Sequence, residues 1–204
     1  MARLEPAGRR QEILRGAARV LAERGVDPTR LTDVAAEVGV SIGLLQHYFH
    51  NREELLAQTF DLLLEADLET WDQLSAGEDN PTRRLGLLVR LCCDGRWALD
   101  DDDRAVTSFR VWLEHWAVAG RHEVLRGRSR SIYAAWSAAV RDIVDRGVEA
   151  GDFHPSSSVE DVVDRFVACA DGLAVRVVLG HLDARRMHDL LVGLIRAELG
   201  VTLR

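Results

Sequence analysis

The stretch LTDVAAEVGVSIGLLQHYFHNREEL, residues 31–55, decides how this chain folds. Val34, Ala35 and Val38 recur at helical spacing, so Leu31 to Val38 carries an apolar stripe that must be buried. Ala35 is small where two short helices would cross closely. Gly39 follows the last periodic residue, where a helix end often needs a left-handed backbone. Ser41 suits the N-cap of a second helix, because its hydroxyl can accept an orphan backbone N–H. Leu45 and Phe49 then share one face, leaving Ile42, Gly43, Gln46, His47 and Tyr48 to others. Asn51 offers a cap for the next helix, and Glu53 and Glu54 fall in its first turn, where the macrodipole favours them. A short helix, a tight turn and a second short helix with an exposed polar face predict a helix-turn-helix, whose second helix enters the major groove of DNA.

The rest of the chain reads as helix throughout, with no strand-like alternation or repeat. Ile13, Ala17, Val20 and Leu21 give residues 9–24 one apolar stripe, and the segment from Gly25 to Pro28 ends that helix. A long helix is expected from Arg52 to about residue 74, then a polar break to Pro81, with Asn80 as cap. Further helices are expected over roughly 81–94, 102–119 and 122–150, with the acids Asp100 to Asp103 capping the second of these. Ser157 and Glu160, three apart, form a capping-box pattern that opens a helix running to about residue 182. The last helix is expected over roughly 184–199. The fold class is therefore all-α, about nine helices, with a DNA-binding domain over 1–50 and a larger sensing and dimerisation domain over 51–204.

Composition narrows the function classes. Apolar residues at 47% and charged residues at 29% describe a globular chain of 204 residues, not a disordered one. No apolar run approaches the roughly 18 residues of a membrane span, and no apolar stretch of a secretion signal follows the early Arg residues. A cytoplasmic location follows as the expectation. Cys92, Cys93 and Cys169 lack metal-ligand spacing, and an odd count fits reduced thiols. The net charge of −7 runs against a DNA binder until it is mapped. Residues 1–55 hold eight Arg and eight acids, so the acidic excess lies outside the reading head. A local basic face matters for nucleic acid, not the overall balance. Every basic residue is Arg, which codon bias in a GC-rich genome explains.

The segment resembles the DNA-binding region of the TetR family of bacterial one-component regulators. Gly39-Val40-Ser41, Gly43, Leu45, Tyr48-Phe49 and Arg52-Glu53-Glu54-Leu55 match its pattern in order and spacing. The run Ile42 to Phe49 is most similar to the branch of choline-responsive betaine-pathway repressors. Two positions depart from the pattern. Arg52 stands where the family usually has Lys, and Arg30 stands where many members have a Thr or Ser cap, with Thr29 as a substitute. The resemblance implies a repressor released from its operator by a small-molecule effector, working as a homodimer on a palindromic duplex, with neither cofactor nor metal.

Roles follow for individual residues. Gln46 and His47 are exposed by periodicity and can hydrogen-bond base edges; Gln commonly reads adenine. Arg30, Thr32, Ser41, Ile42, Gly43, Tyr48 and Arg52 complete the candidate DNA surface, with Thr32, Ser41, Tyr48 and Arg52 as candidate phosphate contacts that position without specifying sequence. Most aromatic residues further on should be core. The family places its effector among the fourth to seventh helices, which makes Trp71, Trp97, Phe109, Trp112, His115, Trp116, Tyr133 and Trp136 candidate pocket walls. Aromatic rings beside a carboxylate could hold a quaternary or protonated amine. Apolar stripes at Val163, Phe166, Ala170, Leu173 and Val177, and at Leu190, Leu191, Leu194 and Ile195, are usually plain core. The resemblance makes them the candidate dimer interface. Two other classes stay open: a small helical enzyme using a His such as His115 as base, and a helical homodimeric interaction module without DNA.

Overall fold

A computed structural model describes residues 6–94 and 104–203. Among the described residues every regular element is an α-helix: α1 (Pro6–Arg24), α2 (Leu31–Val38), α3 (Ile42–Tyr48), α4 (Arg52–Ser75), α5 (Pro81–Asp94), α6 (Arg104–Ala119), α7 (Glu123–Glu149), α8 (Val159–Val178) and α9 (Ala184–Leu199). The expected helices are present with ends shifted by a few residues. The cap expected from Asp100 to Asp103 and the side chain of Trp97 lie outside the described residues.

The chain divides into two compact units. The first holds α1 to α3, α4 as far as Asp67, α6, and α7 to Ser129. Its head is built around Ile13, Leu14, Ala17 and Val20 of α1, Val34 and Ala35 of α2, and Leu45, Phe49 and Leu55. Tyr48 packs its ring against this core while staying half-exposed. Burial of such side chains stabilises by roughly 1.5–3 kcal/mol each for the larger ones, which is what holds three short helices in one arrangement. The α1–α2 crossing is close at Gly16, where an added Cβ would stand 2.3 Å from a Val38 methyl carbon. Two ion pairs flank the crossing, Arg19 with Glu37 at 2.7 Å and Arg24 with Asp33 at 3.1 Å.

The helix ends explain the turn. Gly39 takes φ 68° and ψ 36° at the end of α2, and its N–H bonds the Ala36 carbonyl. The Ser41 hydroxyl accepts the Leu44 N–H at 3.1 Å, so α3 starts where its cap residue places it. At α2 the cap works differently from the expectation. Arg30 is the N-cap, and the Asp33 carboxylate accepts its backbone N–H at 2.7 Å. Thr29 does not cap the helix, because its hydroxyl donates instead to the Gly25 carbonyl at 2.6 Å. At α4, Asn51 accepts the Glu54 N–H at 2.8 Å and Glu54 accepts the His50 N–H at 2.9 Å. That backbone bond, with a second from the His50 ring, holds the Glu54 carboxyl below its ordinary range.

The second unit holds the rest of α4, α5, the remainder of α7, α8 and α9. Leu85, Val140, Val144, Val162, Phe166 and Ile195 meet at its centre. Arg84 lies over the Trp71 ring at 5.4 Å and donates to the Ser75 and Glu78 carbonyls. The opening of α8 slips one residue from the expected box. Ser158 is the cap, accepting the Asp161 N–H at 3.1 Å, while the Ser157 hydroxyl takes a hydrogen bond from Arg165. The helix stops at Val178, short of the expected end, because Gly180 turns left-handed at φ 69° and Asp183 caps α9 through the Arg186 N–H.

Candidate nucleic-acid interface

The outward surface of the head follows from what its core consumes. Leu45 and Phe49 are fully buried, which fixes α3 rotationally and turns Ser41, Ile42, Gly43, Leu44, Gln46 and His47 to the exterior. Ile42 is 39% and Leu44 37% exposed, unusual for large apolar residues and suited to thymine methyl groups. A Cβ on Gly43 would meet nothing within 4 Å, so its lack of a side chain leaves the outer face of α3 low. Arg30 and Thr32 are exposed at the start of α2. The Tyr48 ring stands edge-on to His47, with centroids 5.6 Å apart. These residues share one unit.

Arg52 departs from its expected place. Its guanidinium donates to the Thr29 carbonyl at 2.8 Å, to the Val26 carbonyl, and at 3.5 Å to that of Asp27. It clamps the α1–α2 loop onto the start of α4, and a fork of donors does this where a single ammonium could not. From the other side Glu114 of α6 accepts the Val26 N–H at 2.7 Å. Gly25, at φ 79°, leaves room for that carboxylate, which stands 3.0 Å from where a Cβ would be. Arg121 pairs with Asp27 at 3.2 Å and His122 with Glu53 at 3.8 Å. The loop that opens the helix-turn-helix is thus held by α4 and α6 together. Glu114 carried no motif in the sequence.

The expected pocket aromatics are divided between the two units. Within the first unit, Phe109, Trp112 and His115 are buried on α6 and Trp116 is half-buried. His115 packs edge-on to Phe60 of α4 at 4.5 Å and to Trp112 at 5.6 Å. Burial holds its imidazole down to about 4. Trp71, Tyr133 and Trp136 belong to the second unit. There Tyr133 donates to the Asp171 carboxylate at 2.7 Å, and burial pushes that carboxyl up. The candidate dimer stripe faces largely inward. Val163, Phe166, Leu173, Val177, Leu191 and Ile195 are buried within the chain itself, and Ala170, Leu190 and Leu194 are half-buried. Each helix spends its most apolar face on its own core, so periodicity alone points to the inner face.

Comparison with known proteins agrees with this geometry. A profile described as bacterial regulatory proteins, tetR family, matches residues 13–59. A second, described as BetI-type transcriptional repressor, C-terminal, matches residues 89–200. The chain belongs to the TetR family. Among its relatives, the repressor KstR2 of Mycobacterium tuberculosis strain H37Rv is 27% identical over 82% of this chain and 80% of its own length. The regulator BetI of Rhizobium meliloti is 28% identical over 85% of this chain and 79% of its own. A transcriptional regulator from Saccharomonospora viridis, solved in complex with choline, superposes with TM-score 0.84, covering 95% of this chain and 98% of that one at 22% identity. A TetR-family regulator from Rhodococcus superposes with TM-score 0.81 at 25% identity, covering 93% and 98%. This TetR-family chain is a DNA-binding transcriptional regulator with a BetI-type C-terminal region. Among the described residues no helix is long and apolar enough to cross a membrane.

Proposed function

We propose that this regulator is a repressor that binds a palindromic operator as a homodimer and releases it when a small-molecule effector binds the helical domain. The observation that carries the reading is the α3 surface: Ser41, Ile42, Gly43, Gln46 and His47 all face outward because Leu45 and Phe49 are wholly buried. Gln46 and His47 read base edges, Ile42 touches a thymine methyl, and Arg30, Thr32, Ser41 and Tyr48 contact phosphate. Arg52 serves the head from within, as the clamp on the α1–α2 loop. One head makes few base contacts, so a two-fold pair on two half-sites is needed for specificity.

The pairing surface is the outer side of α8 and α9. Ala168, Gly172, Val175 and Leu179 recur along one face of α8, with Leu179 61% exposed. Gly193 and Ala197 are exposed on α9, and a Cβ on Gly172 or Gly193 would meet nothing within 4 Å. Small residues there let two copies approach closely. A gel-shift titration on the promoter of the protein's own or neighbouring operon tests the whole reading. A retarded band carrying two chains is expected; no band at low salt overturns it. Gly193→Arg should yield monomers by size exclusion and lose the band.

A further inference from the structure

Duplex DNA is gripped in large part by cations, each of which releases a condensed counterion whatever the base sequence. The reading surface described above is poor in them. The α3 helix holds no Arg or Lys, Thr32, Ser41 and Tyr48 are uncharged, and the Arg52 guanidinium is engaged by loop carbonyls. Of its arginines that leaves Arg30. The other arginines of the head sort by what holds them. Arg9 pairs with Glu12 at 2.6 Å, Arg19 with Glu37 at 2.7 Å and Arg24 with Asp33 at 3.1 Å. Arg10 and Arg15 are exposed, and neither forms an ion pair among the described residues.

Arg10 is set apart by where it lies. It precedes Ile13 and Leu14 by one turn on the face of α1 that packs the head core, where that face runs out to solvent. Its guanidinium stands 5.5 Å over the ring of Phe49, the residue that caps the C-terminal end of α3. The Tyr48 ring approaches the same ring at 6.4 Å. Phe49 thus has the Arg10 cation and the Tyr48 phenol as neighbours, at the close of the helix that carries the reading face. A ring face attracts a guanidinium and fixes its place, but it neutralises no charge and leaves the five N–H groups open to a stronger acceptor. Arg15 lies about 140° further round α1, on another face.

We propose that Arg10 binds a phosphate of the operator backbone beside the C-terminal end of α3, with the Phe49 ring as the platform that holds its guanidinium ready. The planar fork suits phosphate oxygens. Tyr48 offers its hydroxyl to the same stretch of strand, where phosphates recur about every 3.4 Å of duplex axis. Arg10 takes the part that residue type suggests for Arg52, and it lies outside the 31–55 segment that carries the motif. With Arg30 it gives the head one arginine at the opening of α2 and one at the close of α3. Such a contact sets affinity and register without reading bases. The proposal rests on the DNA-binding reading above and adds a residue to it.

The test is fluorescence anisotropy of the full chain on two labelled duplexes, one from the promoter of its own or neighbouring operon and one of the same sequence scrambled. Salt is varied over about 50 to 200 mM. Arg10→Gln should flatten the slope of log affinity against log salt by about 1.8 for a dimer, so the wild type's advantage shrinks about tenfold across that range. The scrambled duplex should show the same change, because phosphate carries no sequence. Arg10→Lys keeps the charge and should keep the slope, as should Arg15→Gln, which removes a charge from another face. The melting midpoint of Arg10→Gln should stay within about 4 °C of wild type, since an exposed cation–π contact is small. The proposal is overturned if Arg10→Gln keeps the wild-type slope, if Arg10→Lys flattens it as glutamine does, or if Arg15→Gln flattens it equally. A wild type that binds neither duplex at low salt sinks the DNA-binding reading and this contact with it. A wild type that binds, beside an Arg10→Gln variant of unchanged slope, sinks this contact alone.

Discussion

Arg52 offers the sharpest test, because its residue type and position suggest a phosphate contact while its bonds assign it to the head's own loop. Consider Arg52→Gln. The native guanidinium donates to the Thr29 and Val26 carbonyls and, weakly, to that of Asp27. A hydrogen bond to a charged group contributes about 1.5–3 kcal/mol. Arg52 is half-exposed, so two good bonds at the lower end give about 2–3 kcal/mol. For a chain of this length each kcal/mol moves the melting midpoint by about 2–4 °C, so a fall of about 4–12 °C is expected. A phosphate contact would instead show in the salt dependence. Each one contributes about 0.9 to the slope of log affinity against log salt, or about 1.8 for a dimer. The clamp therefore predicts a lower midpoint, an operator affinity reduced in similar proportion at every salt concentration, and an unchanged slope. Arg52→Lys separates the readings again, since it keeps the charge and loses the fork. It should melt early under the clamp and behave as wild type under a phosphate role. Thermal denaturation with fluorescence anisotropy over a salt series reads both. A slope reduced by about two with an unchanged midpoint would refute the reasoning.

Other outcomes follow from the same geometry. Gln46→Ala should relax base preference at one operator position, by about 1–3 kcal/mol of lost discrimination, with little change in affinity for unrelated duplex; competition with single-base operator variants measures it. Gly16→Ala should destabilise in spite of its better helix propensity, because crowding against Val38 at about 1–3 kcal/mol outweighs a gain of about 1. The double variant with Val38→Ala should recover part of the loss in urea denaturation. His115 makes stability fall with acid. The unfolded chain takes up a proton as pH drops through the ordinary value of 6.5, whereas the folded one resists until about 4. Over that window roughly 3 kcal/mol is lost, and His115→Phe should lose it no longer. Asp67 works against this, since a raised carboxyl gives stability that is present below 3.8 and lost as pH climbs. Urea midpoints of wild type and variant at pH 7 and pH 4.5 should therefore diverge.

The helices were legible because their signals are local. Gly39, Ser41, Asn51 and Asn80 end or open helices through bonds to their own neighbours, so their positions in the chain suffice. The α2 start resisted because Arg30 has no capping oxygen, and the cap came from Asp33, which reads as an ordinary helical acid. The outward face of α3 could be read because Leu45 and Phe49 leave it no other orientation. The α8 and α9 stripes turn inward because period 3.6 marks the most apolar face, and that face is spent on the chain's own core. Glu114 was invisible, because its partner is a backbone N–H eighty-eight residues away. Asp67 did leave a trace, as an acid in phase with Phe60 and Leu63.

The double grip on Val26, by Glu114 and Arg52, bears on how such regulators can be rewired. A graft that transplants residues 1–50 onto a foreign sensor keeps every exposed side chain of α3 yet severs both holds on the loop at Gly25 to Thr29. The transferable cassette is discontinuous: the first three helices, the opening turns of the fourth, and the stretch around Glu114 to His122 must travel together. Hybrids built that way should inherit operator choice with the loop still anchored, whereas cuts made at the sequence boundary should yield heads that fold loosely.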